Sequence, residues 1–255
     1  MTALQNKTAL VTGASRGIGR ATALALSEAG AHVLVHYGRS TQEAESLVAE
    51  IRRKGGHADA ISADLGTPEG AVLLAKQARS IVGDRLDVLV LNAGISKSAR
   101  IADHTVEDFD NLFATNVRGP FFLLQQLLPV LGEGSSIVAI SSVGARTVVG
   151  KPGVENPSLL AYASTKGALE TLVKNWAAIL GPSGIRVNAV APGVIDTDMS
   201  SLTKTEAGRE AALGMQALKR IGKPEDVADV VAFMASDAAR WITGASIPVD
   251  GGSKL

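Results

Sequence analysis

Short apolar runs recur along the chain, and longer amphipathic stretches separate most of them. The runs Thr8–Val11, His32–His36, Ala58–Ser62, Val88–Leu91, Ser136–Ile140, Arg186–Val190 and Ser246–Val249 are mostly aliphatic or β-branched. They alternate little with polar residues, as expected of strands covered on both faces. Between them, Gly19–Ala29, Gln42–Lys54, Gly70–Val82, Val106–Val117, Phe121–Leu131, Leu159–Leu180 and Pro224–Ala235 carry helical spacing. This alternation predicts an α/β fold: one doubly wound parallel sheet of about seven strands with helices on both faces. No linker, repeat or low-complexity block interrupts it, so residues 1–255 are expected to form a single domain.

Some helix ends are written locally. Thr105-Val-Glu-Asp108 resembles a capping box. Asn156-Pro157 predicts a cap ahead of a first-turn proline, and Gly181-Pro182 predicts the end of the same helix.

Composition narrows the function classes. Apolar residues make up 46% of the chain, enough for a large core. Lys+Arg and Asp+Glu are both 25, so nothing points to nucleic acid or an anionic membrane as a partner. With no cysteine, disulfides and thiolate metal sites are excluded, and a cytoplasmic location is the expectation. MTALQNK lacks the pattern of a secretory signal, and no apolar stretch has the length of a membrane span. The four histidines, at 32, 36, 57 and 104, lack metal-ligand spacing, so no metal site is expected.

Candidate chemistry begins behind the first strand. In TGASRGIG, Gly13, Gly17 and Gly19 let backbone approach a ligand and leave helix N–H groups free for a pyrophosphate. A tight strand-to-helix turn is the plainer reading of such a loop. The second strand ends His36-Tyr37-Gly38-Arg39-Ser40, where no acid stands to meet an unphosphorylated ribose. Arg16, Arg39 and the Ser40 hydroxyl could instead hold a 2′-phosphate through forked, charge-assisted bonds, which favours NADP(H) over NAD(H). The alternative is that both arginines are ordinary surface residues. His36 or Tyr37 could pack on the adenine ribose.

Taken with Asn92-Ala93-Gly94, Asn116, Ser141-Ser142, Tyr162-Ala-Ser-Thr-Lys166, Pro192-Gly193 and the run Ile242–Gly252, this loop resembles the short-chain dehydrogenase/reductase family along essentially the whole chain. The resemblance implies a Rossmann-type domain. It also implies hydride transfer between a nicotinamide and a ketone or secondary alcohol, catalysed by Asn116, Ser142, Tyr162 and Lys166. Tyr162 would exchange the proton, Lys166 would hold the nicotinamide ribose, Ser142 would bond the substrate oxygen, and Asn116 would anchor a relay water. The cofactor would lie along Gly13, Ser15, Arg16, Gly17, Ile18, Gly19, Tyr37, Arg39, Ser40, Asp64, Leu65, Asn92, Ala93, Gly94, Pro192, Gly193, Ile195 and Thr197, besides Tyr162 and Lys166. Tyr162 and Lys166 share a helix face, and a nearby ammonium with an oxidised nicotinamide should lower the phenol from its usual value near 10. Ser141 is the competing candidate for the serine role.

The chain departs from the family pattern in one place. Tyr162 follows Ser142 by 20 residues, a longer interval than is usual. The additional residues lie in an irregular loop around 145–160, expected to border and select the substrate opening. A segment around 196–215, rich in Gly, Ser, Thr and charge, is expected to act as a mobile lid.

The implied partner is a small carbonyl or alcohol substrate. Two other readings stand beside it. A 3-oxoacyl-[acyl-carrier-protein] reductase needs a basic docking surface, and Gly119–Ser136 contains no lysine or arginine. A sensor could bind NADP without turnover. Resemblance further implies a homotetramer, through apolar helices carrying Phe109, Phe113, Phe121, Phe122 and Leu127.

Overall fold

The two faces of the central sheet are filled by different side chains. Along β1 (Thr8–Val11), Ala9 and Val11 point to one side and Leu10 to the other. Along β4 (Val88–Leu91), the valines at 88 and 90 share the first side and the leucines at 89 and 91 the second. The strand period of two thus divides a continuous apolar run between two cores.

The computed structural model describes residues 3–148, 153–200 and 202–253. Its seven strands also include β2 (His32–Tyr37), β3 (His57–Ser62), β5 (Ser136–Ile140), β6 (Arg186–Pro192) and β7 (Ser246–Val249). They form one parallel sheet in the order β3-β2-β1-β4-β5-β6-β7, the doubly wound topology expected from the sequence. The order reverses between β1 and β4, so a crevice for ligands opens beyond their carboxyl ends.

Helices α1 (Gly17–Glu28), α2 (Thr41–Arg53) and α8 (Pro224–Ala235) cover one face through Leu26, Leu47, Ile51, Val227 and Val231. Helices α3 (Gly70–Val82), α5 (Gly119–Leu127) and α6 (Leu160–Leu180) cover the other through Leu74, Leu123, Leu127, Leu169 and Val173. Each fully buried leucine or valine contributes about 1.5–3 kcal/mol, so this sandwich is a stiff base for the loops above it.

Three local expectations are corrected. The helix predicted over 106–117 is α4 (Val106–Phe113), followed by a π-helical turn over Ala114–Arg118. The cap predicted at Asn156-Pro157 does not start α6, which begins at Leu160. Ser158 is held extended by paired backbone bonds with Ala99, and that bridge prevents an earlier helical turn. Finally, α7 (Glu206–Met215) lies within the segment expected to act as a lid, where the sequence reading placed no helix, and the Thr205 hydroxyl caps it by accepting from Gly208 N. The Thr105 cap is present, with its hydroxyl accepting from Asp108 N at 3.0 Å.

Candidate active site

The glycine loop is held from three sides. The Asn92 side-chain amide donates to the carbonyls of Thr12 (2.8 Å) and Gly13 (3.0 Å), while the Thr12 hydroxyl accepts from the backbone N–H groups of Asn92 and Ala93, both at 2.9 Å. Gly13 and Gly17 have φ of 63° and 55°, left-handed values that favour glycine. At Gly19 a Cβ would run into the Gly13 carbonyl oxygen and stand 2.5 Å from Asn92 Nδ2. The α1 terminus has no side-chain cap from Arg16 and no acid in its first turn, so its N–H groups and positive dipole end suit an anion. Ser15 and Ile18 complete the turn, Ser15 buried and Ile18 partly buried against the core.

The third support is His36, which corrects one expectation. It does not face a ribose; it lies buried beneath the loop. Its Nδ1 accepts from Gly13 N at 3.0 Å, so Nε2 must be the donor in the 3.0 Å bond to the Ala63 carbonyl. Burial drives its pKa from 6.5 down to about 4, with the Ala63 bond and Asp64 pulling the other way. The unfolded chain therefore binds this proton at higher pH than the folded one. Stability is full above pH 6.5 and should fall by about 3 kcal/mol as the pH drops toward 4. Urea midpoints measured across that range check this, and His36→Gln should flatten the dependence.

The ends of β2 and β3 present the other nucleotide candidates. Tyr37 is half-buried against the core, Ser40 is the N-cap of α2, and Leu65 is buried. Arg39 is exposed, with Nη2 3.6 Å from Asp64 Oδ2, a loose pair that a phosphate could displace. Arg16 is likewise exposed. Across the crevice, a Cβ on Gly17 would lie 3.4 Å from Thr197 Cγ2, so the glycine loop faces the segment after Pro192. In that segment Gly193 packs against Asp250, and Ile195 is buried and bridges Gly222.

The proposed reacting groups converge on this crevice from β5, α6 and the π-turn. Ser142 follows β5; its hydroxyl accepts from Gly144 N at 3.1 Å and also bonds the Tyr162 phenol. Tyr162 and Lys166 are one turn apart on α6, with the ammonium 5.6 Å from the ring centre. The Lys166 ammonium, fully enclosed, donates to the Ile140 carbonyl at 2.7 Å. Asn116 is buried in the π-turn, a bulge type frequent at functional sites. Its amide donates to Ile95 O (2.9 Å) and Thr165 Oγ1 (3.0 Å) and accepts from Ile95 N (2.9 Å). A Cβ on Gly94 would stand 3.2 Å from Asn116 Oδ1 and 3.7 Å from Lys166 Nζ, so these groups border one small space.

Burial sets the electrostatics of these two groups in the protein's own residues. Burial pushes the phenol up to about 12, and the Ser142 bond only partly opposes this. Burial also brings Lys166 down to about 8. Desolvation is thus the largest influence on both groups. Ser141, the competing candidate, is buried and donates to Glu170 Oε1 at 3.0 Å.

Comparison with known proteins agrees with this geometry. The family model described as Enoyl-(Acyl carrier protein) reductase matches residues 13–254. The chain is 42% identical over 261 residues to versicolorin reductase stcU of Emericella nidulans, covering 98% of this chain and 96% of that protein. The chain belongs to the short-chain dehydrogenase/reductase family. Another member, the 3-oxoacyl-[acyl-carrier-protein] reductase FabG of Staphylococcus epidermidis, is 41% identical over 250 residues, with 97% and 98% coverage. The crystal structure of the angucycline C-6 ketoreductase LanV with bound NADP superposes with a TM-score of 0.89 at 40% identity, covering 98% of this chain and 96% of that one.

Three residues to which sequence reasoning gave no role border this candidate site: Thr12 under the loop, Thr165 beside Asn116, and Glu170 behind Ser141. Thr12 and Thr165 lie inside the family motifs, so only those two had a local signal.

Proposed function

We propose that this protein is an NADP(H)-dependent ketoreductase in which Tyr162 exchanges the proton with the substrate oxygen. The observation that carries the reading is the meeting of the Tyr162 phenol, the Ser142 hydroxyl and the enclosed Lys166 ammonium at the crevice faced by the glycine loop. The cradle fits a dinucleotide: its glycines leave no Cβ in the space, and its helix end is free of acids. Gly13–Gly19 would hold the pyrophosphate, Arg16, Arg39 and Ser40 the 2′-phosphate, and Asp64 and Leu65 the adenine side. Asn92–Gly94 and Lys166 would hold the ribose, and Pro192–Thr197 the carboxamide. When bound, NADPH supplies the hydride.

The protein's residues supply the rest. Ser142 donates to the carbonyl oxygen and so stabilises the negative charge that develops there. The phenol, protonated at neutral pH, is the acid that completes the alcohol. Lys166 keeps a positive charge near both, and Asn116 anchors the relay that restores the proton. NADPH consumption over a panel of ketones, sugars and 3-oxoesters tests the activity. Tight NADPH binding without turnover on any of them would favour the sensor reading. Arg39→Ala should lower the preference for NADPH over NADH by about tenfold to a hundredfold, the value of one charged hydrogen bond, as read from kcat/KM with each cofactor.

The likeness to FabG supports a second reading, reduction of 3-oxoacyl carrier-protein thioesters. The absence of lysine and arginine across α5 argues against it. The loop around 145–160 is read as a substrate selector. It is tied to the segment after β4 by the Ala99–Ser158 bridge and by Arg100 donating to Glu155 at 3.2 Å, while its positions 149–152 fall outside the described residues. Residues 196–215, including α7, are read as the lid. The exposed Phe109, Phe121 and Phe122 suit a homotetramer built on α4 and α5, whereas Leu127, also expected there, is buried in the core. A single domain in the cytoplasm completes the reading; no helix among the described residues is long and apolar enough to cross a membrane.

A further inference from the structure

We propose that Glu170 is a positioning residue for Ser142, clamping the serine loop on both flanks to the helix that carries Tyr162 and Lys166. This rests on the reading of Ser142 as the substrate-oxygen donor. Glu170 lies one turn beyond Lys166 on α6, and its carboxylate is buried. Oε1 accepts from Ser141 Oγ at 3.0 Å, immediately before Ser142. Oε2 accepts from Arg146 Nε at 2.7 Å, immediately after the Val143–Ala145 turn that Ser142 caps. A third donor, Ser246 Oγ at 2.7 Å, ties the same Oε1 to β7.

The geometry is more specific than core packing requires. A carboxylate is expensive to bury, and here the guanidinium and two hydroxyls that compensate it come from the serine loop and from β7. Two of the three bracket the residue whose hydroxyl must stay aimed at the Tyr162 phenol. Bonds within the loop, such as Ala145 N to Ser142 O at 3.0 Å and Arg146 N to Val143 O at 3.0 Å, fix its shape. Lys166 ties the strand end at Ile140 to α6, and Glu170 extends that tie to both flanks of Ser142. Glu170 links that turn to the helix by side chain, so the Ser142–Tyr162 separation depends on this carboxylate.

The test compares Glu170→Gln and Arg146→Ala, each alone and combined with Ser142→Ala, in the full-length protein. Glu170→Gln keeps one acceptor for the serines and loses the charge that holds Arg146. It should lower kcat for ketone reduction by about 10- to 100-fold, as expected for a donor displaced by an ångström or so, with the NADPH Kd unchanged. Arg146→Ala, on the exposed side, should act in the same direction. In the Ser142→Ala background neither change should lower kcat further, because the group they position is already gone. Loosening the Ser142–phenol bond also removes a bond that favours phenolate, so the alkaline limb of the kcat/KM profile should move to higher pH.

Wild-type kcat in both folded single variants would overturn the proposal. So would losses that add fully to Ser142→Ala, or losses that follow NADPH affinity alone. If Glu170→Gln does not fold, Arg146→Ala decides on the same criteria. Tyr162→Phe in the same assays tests the underlying reading: active Tyr162→Phe defeats that reading, whereas inactive Tyr162→Phe beside unimpaired Glu170→Gln and Arg146→Ala defeats only the clamp.

Discussion

Tyr162→Phe is expected to lower kcat for ketone reduction by a factor between about 10² and 10⁴, the range of general acid catalysis, while NADPH binding is retained. The change keeps the ring that lies beside the Lys166 ammonium and removes only the hydroxyl that Ser142 bonds. The site keeps its shape and loses its proton donor. Parallel measurement of kcat and of NADPH affinity by fluorescence titration checks both halves. Equal loss of binding would mean that the phenol supports the fold of the pocket rather than the chemistry. The order of ionisation gives the pH sign: in the free protein Lys166 releases its proton near 8 and Tyr162 near 12. The phenol is therefore the acid form throughout the neutral range, and reduction should fail only on the alkaline side.

Gly19→Ala is expected to have the second largest effect. Its new methyl would collide with the Gly13 carbonyl oxygen and press on Asn92 Nδ2 and on the Ala14 Cα at 3.0 Å. The loop cannot yield freely, because Asn92 and His36 hold Gly13 from opposite sides. Overpacking of this kind costs about 1–3 kcal/mol, and NADPH affinity should fall at least about tenfold through the displaced amides. Gly17→Ala provides the contrast, since a methyl there meets Thr197 Cγ2 at a tolerable 3.4 Å and bears mainly the strain of φ 55°, about 1–2 kcal/mol. Thermal melts and NADPH titrations of the two variants separate collision from strain. Equal, small effects would show that the loop is looser than its bonds imply.

The sheet was legible because its information is local. Apolar runs such as Val88–Leu91 and Ser136–Ile140 have their observed bounds because each residue must face one core or the other. Helix α7 was hidden by the opposite circumstance. Only Ala212 is buried in it, and Gly208 and Gly214 dilute the helical pattern, although Thr205 carried a usable cap signal. The bridge that keeps Asn156-Pro157 from capping α6 depends on Ala99, far away in sequence, and no local rule could supply it.

The candidate site divides in the same way. Tyr162 and Lys166 announce each other by a helical interval. His36 gave no sign that it would lie under a loop formed more than twenty residues earlier, donating to Ala63 just past the end of β3. Glu170 needed the loop of Ser141 and Arg146 and the start of β7 at Ser246 brought to one carboxylate. Charge proximity to the phenol can be read from spacing, whereas the desolvation that raises it in the protein alone depends on everything packed around the group.

Hydride transfer is tested most directly with NADPH carrying deuterium at the reactive dihydropyridine carbon and a ketone that the enzyme turns over. The expected result is one deuterium on the carbinol carbon of each alcohol formed, with one NADPH consumed per alcohol. An unlabelled alcohol, or saturating NADPH that persists without turnover across the whole panel, would contradict it.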